Sequence, residues 1–251
     1  MLETILGKLL LKLGLVIRRR STAITDIPDA NFYELYVGAP YFSPWLGYGE
    51  FGHCFELAQP FTVVSADRCY VLYTLASQAL RLNGEFWECG VYKGGTAMLL
   101  TALIGQDKAS QPSVKLHLFD TFEGMPSTDA QRDLHRRGDF SDTSLESVKS
   151  RVSGGGIAIF HKGLIPDTFS GMEDSKISFA HIDVDIYQSV LDCCSFIYPR
   201  LIPGGFIVFD DYGQPSCPGA RQAVDAFFED KPEQPLVLAT GQAVVFVAGA
   251  G

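Results

Sequence analysis

The sequence predicts an α/β fold: a mainly parallel β-sheet with helices on both faces. Five apolar runs, at 84–92, 114–120, 156–163, 177–185 and 204–211, read as strands, and segments with helical spacing or helix-start signals stand between most of them. The strand runs are continuously apolar rather than alternating, as burial on both faces requires. Glycines and carboxylates close several runs, and parallel sheets bind ligands beyond the carboxyl ends of their strands, where strand order reverses.

The chain has 251 residues, 47% apolar and 20% charged, with 25 glycines and 13 prolines, which excludes collagen and low-complexity disorder. Its length suits one sizeable core with additions. A net charge of −9 lacks the basic field of a nucleic-acid binder and fits a site for a cation or a neutral ligand. The six cysteines, at 54, 69, 89, 193, 194 and 217, form no CxxC pair and no zinc spacing with histidine. They read as reduced, buried thiols of a cytoplasmic protein.

Residues 1–60 are expected to form an N-terminal helix and an irregular arm or lid, and 61–251 the main domain. The opening MLETILGKLLLKLGLVIRRR is too short and too charged to span a bilayer, and its arginines follow the leucines, the reverse of a secretory signal. It reads as an amphipathic helix that packs on the domain or on a second subunit, which predicts a homo-oligomer. Contact with a membrane surface is the alternative. Residues 21–60 are rich in Pro, Gly and aromatics, and Tyr36, Trp45 and Tyr48 could cover a site.

The elements follow in order. Apolar positions recur at helical spacing from Ala66 to Leu82, and Asn83-Gly84 ends that helix. The first strand, 84–92, leads into a helix opened by Gly94-Gly95-Thr96, and the second strand is 114–120. A polar loop, 126–142, precedes a helix over 144–152 that Thr143 caps, with Glu146 at the capping-box position. Strands at 156–163 and 177–185, a helix to Tyr198, a strand at 204–211 and a helix over Gly219–Glu229 come next, and a hairpin closes the chain.

The glycine turn after the first strand, Glu88-Cys89-Gly90-Val91-Tyr92-Lys93-Gly94-Gly95-Thr96, matches neither G-x-G-x-x-G nor the phosphate loop with its lysine. This disfavours a nicotinamide-dependent oxidoreductase. Glu88 suits a ligand with a cationic group; a purely structural turn is the alternative. Asp120, at the end of the second strand, can accept the hydroxyls of a ribose or cap the next turn. HIDVDIY places Asp183 and Asp185 two residues apart, on one face if strand geometry persists, and FDDYG ends the following strand in Asp210-Asp211. If those strands are neighbours, four carboxylates converge. Such crowding raises their pKa values, and a hard divalent cation such as Mg2+ relieves it.

At these residues the sequence resembles the macrocin O-methyltransferase family, class I S-adenosylmethionine-dependent enzymes that methylate sugar hydroxyls of glycosylated natural products. The matching pieces are TVVSADR (62–68), FWECGVYKGGTAMLL (86–100), LFDTFEGMP (118–126), GDFSDTSLESVK (138–149), HIDVDIYQSVLD (181–192) and GGFIVFDDYGQPSCPGARQAVDAFF (204–228). The resemblance implies a Rossmann-like seven-stranded sheet with an antiparallel final strand. It implies that Glu88, Gly90, Tyr92, Gly94, Gly95 and Thr96 hold the methionine part of S-adenosylmethionine, and that Asp120 holds its ribose. Thr121 and Phe122 lie near the adenosine, and Thr62, Ser65 and Asp183 contact the cofactor. Asp183, Asp210 and Asp211 match the family's Mg2+ ligands, and Asp185 the position of a general base, a role that other members give to a nearby histidine. The implied reaction is methyl transfer to a sugar hydroxyl. A catechol- or phenol-type metal-dependent methyltransferase is one alternative, although those enzymes show Asp-Asn where this chain has Asp210-Asp211. A non-catalytic cofactor-binding scaffold is the other.

Overall fold

The computed structural model describes residues 33–36, 39–106, 114–152 and 155–248. The leucine-rich segment 1–20, expected to be helical, lies outside them. Two short strands, β1 (Tyr33–Tyr36) and β2 (Ala39–Phe42), form an antiparallel pair. The helix α1 (Glu50–Ala58) follows, within a stretch that composition alone suggested was irregular. Its Phe51, Cys54 and Ala58 are buried, which is the apolar stripe that makes a helix worth forming there. The remaining helices are α2 (Ala66–Ala79), α3 (Gly95–Gln106), α4 (Leu145–Arg151), α5 (Tyr187–Ile197) and α6 (Pro218–Phe228).

The main sheet contains β3 (Glu85–Cys89), β4 (Leu116–Asp120), β5 (Ala158–Lys162), β6 (Ile177–Ile182), β7 (Leu201–Phe209), β8 (Leu236–Val237) and β9 (Ala243–Phe246). Their order is β5-β4-β3-β6-β7-β9-β8. The first five strands run parallel, and β9 inserts antiparallel between β7 and β8. The predicted closing hairpin is therefore β8–β9. Strand order reverses between β3 and β6, which places a binding crevice at their carboxyl ends.

Alternation along each strand builds a core on either face. Phe86, Phe179 and Val208 join α1, α2 and α3 in one cluster that includes Phe51, Leu72 and Leu99. Trp87, Ile182 and Phe209 join α5 and α6 in the other, with Val190, Ile197, Val224 and Phe228. All six cysteines are free and buried. Among the described residues, no helix is long and apolar enough to cross a membrane.

Two local expectations need correction. Ser144, not Thr143, caps α4: its Oγ accepts the Ser147 N–H at 3.2 Å, while the Thr143 hydroxyl donates to the Tyr92 carbonyl at 2.5 Å. Glu146 therefore falls one position short of the capping-box site. The fourth strand stops at Ile182, so Asp183 and Asp185 do not share a face by strand alternation. Asp183 still donates its N–H to the Cys89 carbonyl at 2.8 Å, but Asp185 has φ +59° and leaves the sheet.

Candidate active site

Strand register builds the site. Cys89 pairs with Phe119 and with Ile182, and Ile182 pairs with Phe209. The residues that follow, Gly90, Asp120, Asp183 and Asp210, therefore form one row across four strand ends. They line a cavity of about 300 Å³. Gly90 has φ +87°, and a Cβ there would lie 1.8 Å from the Asp183 carbonyl oxygen. Only glycine allows this approach.

Asp120 braces the glycine turn. Its Oδ2 accepts the Val91 and Tyr92 N–H groups at 2.7 and 2.9 Å, and its Oδ1 accepts the Phe122 N–H at 2.6 Å. Capping and ligand binding are thus compatible here, since a carboxylate has further lone pairs to offer. Thr62, Gly90, Tyr92, Gly95, Thr96, Asp120, Thr121 and Asp183 line the cavity. Ser65, Glu88, Gly94 and Phe122 are not among its lining residues. Ser65 Oγ accepts from Arg68 Nε at 3.2 Å, Gly94 lies against Val148 of α4, and Phe122 is a core side chain.

Glu88 is fully buried beneath the floor. Its register partner on β6 is His181, whose Nδ1 lies 3.1 Å from Glu88 Oε1. His181 Nε2 faces Asp210 Oδ1 at 3.6 Å, too long for a hydrogen bond, and both it and Glu88 Oε2 lack a hydrogen-bonding partner. Burial opposes charge on His181, yet the Asp210 and Glu88 carboxylates on either side hold its pKa well above the ordinary value.

The four carboxylates at the other strand ends divide by partner. Asp210 is fully buried in an ion pair with Arg68 of α2 and accepts from Gln242 Nε2 at 2.7 Å. Burial works against its ionisation, but His181, Arg68 and Gln242 together hold its pKa below the usual range. Donor atoms of Asp183, Asp210 and His181 lie within 4.8 Å of one another. Burial, then repulsion from Asp210, pushes the Asp183 carboxyl well above the ordinary range. Asp211 is pushed up the same way, by burial and then by Asp183. It is not in the Asp183–Asp210 group of donor atoms; its Oδ2 accepts the Asp185 N–H at 3.0 Å.

Asp185 lines the cavity between His135 and Cys217. Burial raises its pKa, against the pull of His135. His135 belongs to the 126–142 loop, which lies over the cavity through Pro126, His135 and Phe140. The loop is pinned rather than loose: Asp133 Oδ1 accepts the Tyr187 N–H at 2.9 Å, and the Arg132 guanidinium sits 3.8 Å from the Tyr187 ring centre. Trp45, expected as a cover, packs against the α1–α3 core, and neither it nor Tyr48 lines the cavity.

Sequence reasoning missed Arg68, His181 and Gln242, and did not connect His135 or Cys217 to Asp185. His181 had a faint signal, a polar residue inside an apolar strand two positions before Asp183. Arg68 had none, because its partner lies 142 residues away.

Comparison with known proteins finds relatives of this chain and of its fold. The chain is 28% identical over 145 residues to the 8-demethyl-8-(2,3-dimethoxy-alpha-L-rhamnosyl)-tetracenomycin-C 4'-O-methyltransferase of Streptomyces olivaceus, covering 53% of this chain and 55% of that protein. It is 29% identical over 181 residues to the mycinamicin III 3''-O-methyltransferase of Micromonospora griseorubida, covering 66% of this chain and 69% of that one. The match thus spans little more than half the length of the first relative. The fold superposes on the O-methyltransferase NovP with a TM-score of 0.66 at 21% identity, over 75% of this chain and 83% of that one. It also superposes on the calicheamicin methyltransferase CalS11 with a TM-score of 0.60 at 21% identity, over 71% and 77%. The family described as macrocin O-methyltransferase (TylF) matches residues 59–246, from before α2 to the end of β9, and the chain belongs to that family.

Proposed function

We propose that the protein transfers a methyl group from S-adenosylmethionine to a hydroxyl of a sugar carried by a glycosylated small molecule, assisted by Mg2+. The observation that carries this reading is the row Gly90–Asp120–Asp183–Asp210: one cavity joins the glycine turn to a cluster of carboxylates. The relatives' names point to sugar and natural-product acceptors.

The residues fit both groups. Gly90, Tyr92, Gly95, Thr96 and Thr62 present a close backbone and hydroxyls for the methionine part, with Asp120 and Thr121 on the ribose side. Asp183 and Asp210 offer clustered carboxylate oxygens, the donor type that suits Mg2+, and Asp211, outside that cluster, would complete the set. Arg68 offsets Asp210, whereas burial first, and repulsion between neighbouring carboxylates second, raises the pKa values of Asp183 and Asp211. When bound, the cofactor supplies a methyl group on a sulfonium, and Mg2+ supplies positive charge beside the reacting hydroxyl.

The chain's own residues do the rest. Asp185 lies where it can take the hydroxyl proton, and its raised pKa makes it a better base than an exposed carboxylate. The Asp211 carboxylate holds the Asp185 backbone in its strained φ +59° conformation by accepting its N–H. The pinned 126–142 loop, with His135 and Phe140, excludes water and holds the acceptor close to the methyl group.

The test is turnover with S-adenosylmethionine on parallel panels of glycosylated acceptors and catechols, with Mg2+ and with excess chelator. Methylation of sugar hydroxyls that stops in chelator is expected. Turnover confined to catechols would overturn the sugar assignment, and an unchanged rate in chelator would overturn the metal role.

A further inference from the structure

Next to the Asp183–Asp210–His181 group lies a second group of donors, one that includes a thiol. His135 Nε2 is 3.6 Å from Asp185 Oδ1, and Cys217 Sγ is 3.3 Å from the same oxygen. These three donor atoms lie within 4.8 Å of one another, and all three residues line the cavity. They come from the 126–142 loop, the turn after β6 and the residue before α6, so no sequence spacing announces them. We propose that His135, Asp185 and Cys217 form a second cation site, selective for Zn2+ over Mg2+, and that its occupancy blocks methyl transfer.

Four features support the site. Ligands of a tetrahedral ion held at about 2.0–2.3 Å stand roughly 3.3–3.8 Å apart, which is the spacing around Asp185 Oδ1. His135 is already oriented from behind: Asp139 Oδ2 lies 3.1 Å from its Nδ1 and also accepts the Arg136 N–H at 3.0 Å. A carboxylate on Nδ1 orients the ring with its Nε2 toward Asp185, the arrangement common behind metal-bound histidines. His135 Nε2 and Asp185 Oδ1 face each other at 3.6 Å, beyond hydrogen-bond distance, with room for a cation to bridge them. Finally, one imidazole, one thiolate and one carboxylate are the donors Zn2+ prefers, whereas Mg2+ takes oxygen alone. Three protein ligands leave the fourth position open to the cavity.

The balance of the binding step is simple. Burial, then the Asp211 and Asp185 charges, keep the Cys217 thiol protonated in the metal-free protein. Zn2+ therefore displaces one proton from Sγ to solvent as the Zn–S bond forms, and affinity rises with pH. Asp185 Oδ1, once it is a ligand, no longer accepts the proton of an acceptor hydroxyl. This blocking step rests on the function proposed above; the binding step does not.

The experiment uses the full chain, stripped with chelator and free of cofactor. Co2+ is titrated in as a spectroscopic stand-in, followed by displacement with Zn2+. One equivalent of Co2+ is expected to give a thiolate-to-metal charge-transfer band that Zn2+ abolishes. Cys217→Ser should lose the band, His135→Gln should weaken binding more than about tenfold, and Asp139→Asn should weaken it about 10- to 100-fold. Asp183→Asn should keep the band. No band in the parent protein, or an equal band in Cys217→Ser, would overturn the site. The two ligand variants alter different segments, so a folding defect in one leaves the other to report. In a separate assay with excess Mg2+, Zn2+ should inhibit methyl transfer, and the inhibition should weaken in parallel with Co2+ affinity across the variants. Zn2+ that binds without inhibiting would overturn the blocking role. If no acceptor is methylated under any condition, the spectroscopic result still decides the site.

Discussion

Arg68, in the first turn of α2, forms an ion pair with the fully buried Asp210 at the end of β7. The pair ties the helix that precedes the first parallel strand to the last strand of the parallel set. Gln242, beside β9, completes it by donating to the other Asp210 oxygen at 2.7 Å. Arg68→Ala would leave the buried Asp210 carboxylate without its ion-pair partner, with only His181 and Gln242 beside it. The expected loss is about 3–5 kcal/mol of unfolding free energy in urea. Replacing both partners, Arg68→Met with Asp210→Leu, should recover much of that stability while abolishing methyl transfer. A single variant as stable as the parent would show that the pair is solvated.

Stability of the metal-free protein should fall as pH rises. Asp183 and Asp211 have raised pKa values, so the folded state binds more protons than the unfolded one above the ordinary carboxylate value of about 3.9. His181, also raised, acts in the same direction: its contribution is present below about 6.5 and is lost as pH rises through its folded value. Asp210, lowered, opposes them only in acid, where its contribution is lost as pH falls through its folded value. Below about pH 6.5 the pKa values of His117 and His161, depressed by burial, work the other way, so urea midpoints should drop between about pH 6.5 and about pH 8, and Mg2+ should raise the midpoint more at the upper end. Asp183→Asn should flatten the profile. A midpoint that climbs over this interval would contradict the crowding of these carboxylates.

Gly90→Ala should be among the most damaging single changes. The added Cβ would meet the Asp183 carbonyl oxygen at 1.8 Å from a backbone at φ +87°. Neither strand can retreat without breaking the ladder. A loss of more than about 3 kcal/mol, or failure to fold, is expected. Gly105→Ala, whose Cβ would meet nothing closer than 4.0 Å, is the matched control and should fold normally. Equal stability of the two would mean that the β3–β6 approach is looser than described.

Asp120→Asn should weaken S-adenosylmethionine binding more than acceptor binding. An amide offers one acceptor oxygen where the carboxylate serves Val91, Tyr92 and Phe122 with two. Either the Val91–Tyr92 turn or Phe122 then loses its acceptor. A cost of about 1–3 kcal/mol in cofactor affinity is expected by calorimetry. Unchanged affinity would leave Asp120 as a brace of the turn alone.

Much of this architecture was legible in the chain itself, because burial on both faces writes continuous apolar strands and because glycines and carboxylates at strand ends are local features. Gly90, Asp120, Asp183 and Asp210 could be singled out that way, and parallel register then sets them in one row. The irregular reading of 21–60 missed α1, since Pro and Gly mark its flanks more loudly than Phe51, Cys54 and Ala58 mark its buried stripe. What only the tertiary structure decided are the partnerships. Glu88 turned to His181 instead of the cavity, Asp211 to the Asp185 amide, Arg68 to Asp210, and His135 and Cys217 to Asp185. Sequence periodicity records which face a residue occupies. It carries no record of which distant charge or thiol packing brings against that face, and those neighbours set each group's protonation and its ligands.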